Sequence, residues 1–200
     1  RLKAKYETSF YNSISSVLYK GFQLAFFNEY FGSGLSSIVF QEIRESKALA
    51  YSAYSYFTSP WKLDKSHYVR AYLGTQVDKL GDATDALLEL MNNMPEVEKQ
   101  FEDARLASLK KIETSRTKRS SLFWSYLSAK EMGRDYDMNK DIYPALQKIT
   151  LQDLKLFFDN NIKDRYYTFT VIGNKKLVDH DVLKDLGEYK ELTLEDIFGY

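Results

Sequence analysis

The sequence predicts an α+β fold, an antiparallel β-sheet with helices packed mainly on one face. Three observations carry that prediction. Hydrophobic periodicity runs in the order strand, helices, two strands, many helices, strand, short helix, strand. No strand–helix–strand unit repeats, which argues against a parallel, doubly wound sheet. Two of the strand patterns are joined by a short turn, and neighbours connected that way pair antiparallel.

Taken in order, Leu2 to Tyr11 alternates like a strand, with Tyr6, Thr8 and Phe10 set against Lys5, Glu7 and Ser9. From Ser13 the period lengthens, and Ile14, Val17, Leu18, Phe22, Ala25 and Phe26 make a helical stripe that runs to about Phe31. Gly21 inside it marks a close helix contact. Gly32-Ser33-Gly34 ends the helix, and Ser36 or Ser37 caps the next, whose stripe is Leu35, Ile38, Val39 and Ile43. Ala48 to Thr58 alternates again, with Ala50, Ser52, Tyr54 and Tyr56 on one face and Tyr51, Ala53, Ser55 and Phe57 on the other. Ser59 to Ser66 is the turn. His67 to Thr75 is the partner strand, with Val69, Ala71 and Leu73 on its apolar side.

The helical block begins with Leu80, Ala83, Leu87, Leu88 and Met91 on one face. Pro95 suits the first turn of the following helix, where its missing N–H is harmless. That helix carries Val97, Phe101, Ala104, Leu109 and Ile112. Helices over 121–132 and 141–149 follow, and Thr150 is a natural N-cap for Leu151 to Asn160. Tyr166 to Ile172 reads as a third clear strand, Asp181 to Leu186 as a short helix, and Tyr189 to Leu192 as a last strand. Residues 1–200 read as a single domain, without repeat, low-complexity segment or Pro-rich linker. A start at Arg1-Leu2-Lys3, without methionine, reads as a piece of a longer polypeptide.

Composition narrows the function. Lys plus Arg equals Asp plus Glu at 28 each, so no global charge draws the chain to nucleic acid or to an anionic membrane. No apolar run reaches the roughly 18 residues of a membrane span. With no cysteine, thiolate metal sites and disulfides are excluded.

Chemistry-bearing residues are few. His67 and His180 are far apart, and neither belongs to an HxxEH or HExxH pattern that would set two imidazoles on one helical face around zinc. Gly32-Ser33-Gly34-Leu35-Ser36 follows a helix, whereas a nucleophile elbow follows a strand. The three residues Gly32, Ser33 and Gly34 read either as a ligand-contacting loop at a helix N-terminus or as a turn using glycine's freedom at positive φ. Lys110, Lys111, Arg116, Lys118 and Arg119 read as a solvated basic helix face. Arg44, in the last turn of a helix, and Tyr51, early in the next strand, admit two readings. Both can donate hydrogen bonds to the carbonyls of an extended peptide from one side of a cleft. Alternatively, the arginine answers the helix C-terminus and the tyrosine is strand packing.

The run Asn28-Glu29-Tyr30-Phe31-Gly32-Ser33-Gly34, continuing to Ile43-Arg44-Glu45-Ser46-Lys47-Ala48-Leu49-Ala50-Tyr51, resembles the non-catalytic half of pitrilysin/insulinase-type zinc metallopeptidases. Asn92-Asn93-Met94-Pro95 and the late Val171-Ile172-Gly173 extend the resemblance over most of the chain. It implies one pitrilysin- or processing-peptidase-like metallohydrolase unit and a homologous catalytic half as partner, on the same chain or a separate one. The two halves would close a clam-shell chamber around a peptide substrate. It implies that Arg44 and Tyr51 bind substrate, and that Gly32, Ser33 and Gly34 stand where relatives carry a longer glycine loop. This chain lacks HxxEH, so no metal and no catalytic residue is expected in it, and zinc is expected in the catalytic partner. The other reading is a catalytically silent assembly module derived from such a peptidase, like the core subunits of respiratory complexes.

Overall fold

The computed structural model describes residues 24–58, 67–116, 118–131, 133, 135–137 and 139–199. The strand expected over 2–11, most of the first helix, Gly21 and the turn from Ser59 to Ser66 lie outside them. Helix α1 spans residues 24–32 and α2 residues 38–46, both widening into π-type turns. Strands β1 (Ser52–Thr58) and β2 (Tyr68–Gly74) follow. The remaining helices are α3 (Leu80–Asn92), α4 (Glu98–Thr114), α5 (Arg119–Glu131), α6 (Asn139–Lys148), α7 (Leu151–Asn161), α8 (His180–Asp185) and α9 (Leu194–Phe198).

The expected α+β architecture is present. β1 and β2 pair antiparallel in the register Ser52↔Gly74 through Thr58↔Tyr68. Ala53, Ser55 and Phe57 turn inward from β1, while Ser52, Tyr54 and Tyr56 face outward. Tyr54 stacks on its cross-strand neighbour Tyr72 at 5.3 Å on that outer face. On the edge strand β2, Val69 and Leu73 are half-buried but Ala71 is exposed, against expectation.

Helix α1 is the hub. An ordinary surface helix buries one stripe, but here Leu24, Phe26, Phe27, Asn28, Tyr30, Phe31 and Gly32 are all buried, with only Ala25 turned out. Phe26 meets Phe101 of α4 edge-on at 5.3 Å. Phe27 meets Phe157 of α7 at 5.3 Å, and Phe31 meets Phe158 at 5.8 Å. Each such ring contributes about 1.5–3 kcal/mol by burial. Asn28 ties this helix to the sheet. Its amide donates to Phe57 O at 2.9 Å and accepts from Phe57 N at 2.8 Å, filling both main-chain positions that a further strand would use.

The sequence also predicts two late strands. Residues 166–172 and 189–192 make no ladder among the described residues, and Tyr166 and Ile172 are almost wholly exposed. Pro95 is not in a helical first turn either. It sits in the loop before Glu98, where its carbonyl accepts from the Tyr30 hydroxyl at 2.7 Å, and that hydroxyl accepts from Val97 N at 3.0 Å. Thr150 caps α7 as expected, in a capping box with Asp153.

Burial raises the Tyr30 hydroxyl above its ordinary pKa; the Val97 N–H opposes this, and the charges of Glu96 and Glu98 add to it. Below about pH 10 both folded and unfolded chains keep the proton and the contribution is complete. As pH rises further the unfolded chain ionises first, so stability falls until the folded pKa is passed. Tyr30→Phe is expected to cost about 1–3 kcal/mol at neutral pH, because Pro95 O and Val97 N–H lose their partner. Denaturant titrations across the alkaline range should show a shallower loss in the variant; parallel curves would remove Tyr30 as the source.

Candidate functional site

The site is built where α2 gives way to β1. Ser37 caps α2, its Oγ accepting weakly from Phe40 N at 3.4 Å. Ile38, Val39 and Ile43 are buried as the stripe requires, whereas Leu35 is exposed in the turn before the helix. The last turn widens, with Lys47 N donating to Glu42 O at 3.1 Å and Leu49 N to Ile43 O at 2.9 Å. Ala48 ends it at φ 48°, a left-handed conformation that costs a non-glycine residue about 1–2 kcal/mol. Lys79 Nζ donates to Ala48 O at 3.0 Å, and Thr75 Oγ1 to Leu49 O at 2.6 Å, holding this turn.

Strand alternation then fails by one residue. It assigns Tyr51 to the side of Ala53, Ser55 and Phe57, which is the core. Instead Ala50 is 9% exposed and Tyr51 69% exposed. Tyr51 N donates to Gly74 O at 2.7 Å although Gly74 is the register partner of Ser52, a bulge-like offset that re-aims the side chain.

Arg44 and Tyr51 line one open cleft of about 270 Å³ with Glu45, Ala48, Leu49, Ala50, Gln76 and Lys79. The Arg44 guanidinium lies 4.8 Å from the centre of the Phe40 ring, and its Nε is 3.6 Å from Glu45 Oε1. Among the described residues no hydrogen bond engages its terminal nitrogens, so it does not answer the helix end. Gln76 Nε2 donates to the Tyr51 hydroxyl oxygen at 2.6 Å, which leaves the phenolic proton to donate elsewhere. Nothing in the sequence signals Gln76 or Lys79, which reach the cleft from beyond β2. A second depression is lined by Lys47, Leu49, Asp82, Asp85, Ala86 and Glu89, and shares Leu49 with the first.

The glycine turn has a divided role. Gly34 is exposed at φ 101° and makes the turn. Gly32 is buried, and a Cβ placed on it would lie 2.0 Å from Ser55 O. Ser33 closes α1, its N and Oγ both donating to Asn28 O, at 2.7 and 3.0 Å.

The histidines stay apart. The ring of His67 lies 5.8 Å from that of Phe57, and His180 sits between Lys175 O and the Tyr189 hydroxyl near the C-terminus. Among the described residues no group of three His, Asp or Glu side chains could hold a metal, so this donor set does not fit zinc. Of the basic cluster, Lys111 pairs with Glu29 and so fastens α4 to α1. No described helix is long and apolar enough to cross a membrane.

The described residues thus form a helical layer on an antiparallel pair, with Arg44 and Tyr51 sharing a cleft. Residues 10–112 match the family model of the peptidase M16 inactive domain. The chain belongs to this family. Among solved structures it is similar to a peptidase M16 inactive domain from Pseudomonas fluorescens, with a TM-score of 0.57 and 18% identity. The match covers 72% of this chain and 34% of that one, so the chain spans about a third of that protein's length. No curated protein matches the chain.

Proposed function

We propose that the chain is the substrate-clamping, non-catalytic domain of a zinc metalloendopeptidase that hydrolyses peptides or unfolded segments. The support is the cleft that Arg44 and Tyr51 share, each with donor capacity left for a ligand. Arg44 would hold the carbonyls of an extended peptide with its terminal nitrogens, and Tyr51 would donate its phenolic proton beside it. Aimed at the oxygen that gains charge in the tetrahedral intermediate, such donors lower the barrier more than they tighten substrate binding. In the partner half, zinc would activate the attacking water.

The purified chain is expected to hold no stoichiometric zinc by elemental analysis and to cleave no unstructured peptide. Combined with the half that carries HxxEH, it should raise peptide turnover well above that of the catalytic half alone. Zinc bound one-to-one by this chain would overturn the reading. An assembly that forms while turnover stays indifferent to the chain would favour the silent assembly module.

A further inference from the structure

Tyr51 is an exposed ring on two soft side-chain torsions. A phenol that wanders is a poor clamp, because a catalytic donor must already point where charge develops. The end of β2 and the turn after it decide where this ring lies. Gly74 O accepts from Tyr51 N at 2.7 Å, Thr75 Oγ1 donates to Leu49 O at 2.6 Å, and Lys79 Nζ donates to Ala48 O at 3.0 Å. These three contacts hold the main chain of 48–51 and would serve any side chain at position 51. Gln76 is different. Among the described residues it alone bonds the phenol, its Nε2 lying 2.6 Å from the hydroxyl oxygen.

Two features make that contact directional. Gln76 has an extended backbone, φ −73° and ψ 153°, just before the short 3-10 turn Val77–Lys79, and its side chain caps no N–H of that turn. The side chain goes to Tyr51 instead. An amide nitrogen can only donate, so the phenol accepts there and its single proton is turned away from Gln76. Arg44 lines the same cleft, and the proton is therefore available to whatever Arg44 holds.

We infer that Gln76 is the positioning residue for Tyr51: it fixes the phenol in the cleft as an acceptor from the amide, and hence as a donor to a carbonyl oxygen of the bound peptide. The role rests on the clamp reading, which supplies the task that Tyr51 performs.

Kinetics of the assembled peptidase, together with ring relaxation of the chain labelled with 13C-tyrosine, test it. Gln76→Ala should lower kcat about 3- to 10-fold with KM held, the loss of one neutral hydrogen bond. Gln76→Glu puts an acceptor where the donor was. The phenol then turns its proton to the carboxylate, and kcat should fall as far as in Tyr51→Phe. Gln76→Lys restores a group that can only donate and should recover most of the rate. A side chain that merely filled space would treat these two alike. Gln76 is exposed, so all three variants should keep the wild-type melting temperature. In Gln76→Ala the Tyr51 ring should lose order, while Tyr54, stacked on Tyr72, keeps its own.

Equal rates for Gln76→Glu and Gln76→Lys overturn the inference, as does a Tyr51 ring no less ordered in Gln76→Ala than in the wild type. If Tyr51→Phe lowers kcat while every Gln76 variant turns over normally, the clamp stands and the positioning role falls. If Tyr51→Phe and Arg44→Ala both keep the wild-type rate, the clamp falls and takes the positioning role with it.

Discussion

Arg44→Ala is expected to lower kcat of the assembled peptidase roughly 10- to 1,000-fold, the range for losing one charge-stabilising donor. That is about 1.4–4 kcal/mol of barrier. The side chain is half exposed and, among the described residues, rests on the Phe40 ring and pairs through Nε with the exposed Glu45, so its removal leaves no described buried group unpaired. Folding should therefore be nearly unaffected, and the melting temperature of the variant checks this. If Arg44 acts on the developing oxyanion, kcat falls and KM holds; if it grips the ground-state peptide, KM rises instead. Arg44→Lys keeps the charge but loses the fork, and should recover only part of the rate. Wild-type kinetics in Arg44→Ala would take the residue out of the mechanism.

Gly32→Ala is expected to cost at least about 3 kcal/mol, the upper end of what overpacking costs. In a chain of this size that lowers the melting temperature by about 6–12 °C. The added methyl would meet a main-chain carbonyl, Ser55 O, at 2.0 Å, and a strand backbone cannot rotate aside as a side chain can. β1 would have to move off α1, which would also stretch the two Asn28–Phe57 hydrogen bonds. Gly34→Ala is the control. It meets no atom within 4 Å and suffers only the strain of φ 101°, about 1–2 kcal/mol. Equal melting temperatures for the two variants would show that close approach is not what Gly32 is for.

These two residues mark how far local pattern carried. The helix ends were legible where a side chain caps its own helix, as at Ser37 and Thr150, because a cap is settled within three residues. The β1–β2 pair was legible because a short connection leaves antiparallel pairing as the natural outcome. At 166–172 alternation describes an extended conformation and does not name its partner. Asn28 reads as one more residue in an apolar helix, and no local rule announces that its amide completes Phe57. In the cleft, the spacing of Arg44 and Tyr51 was visible, but Gln76 and Lys79 belong to a turn beyond the next strand.

From the sequence alone came the family, the missing zinc motif and an arginine seven residues before a tyrosine. These follow from residue identity and short spacing, which folding does not alter. Tertiary structure decided that Tyr51 faces the cleft and not the core, because the offset at Gly74 turns its side chain against the parity of its own strand. It also decided that Gly32 serves contact and Gly34 conformation. The backbone that crowds Gly32 comes from a different element, and only packing brings the two together.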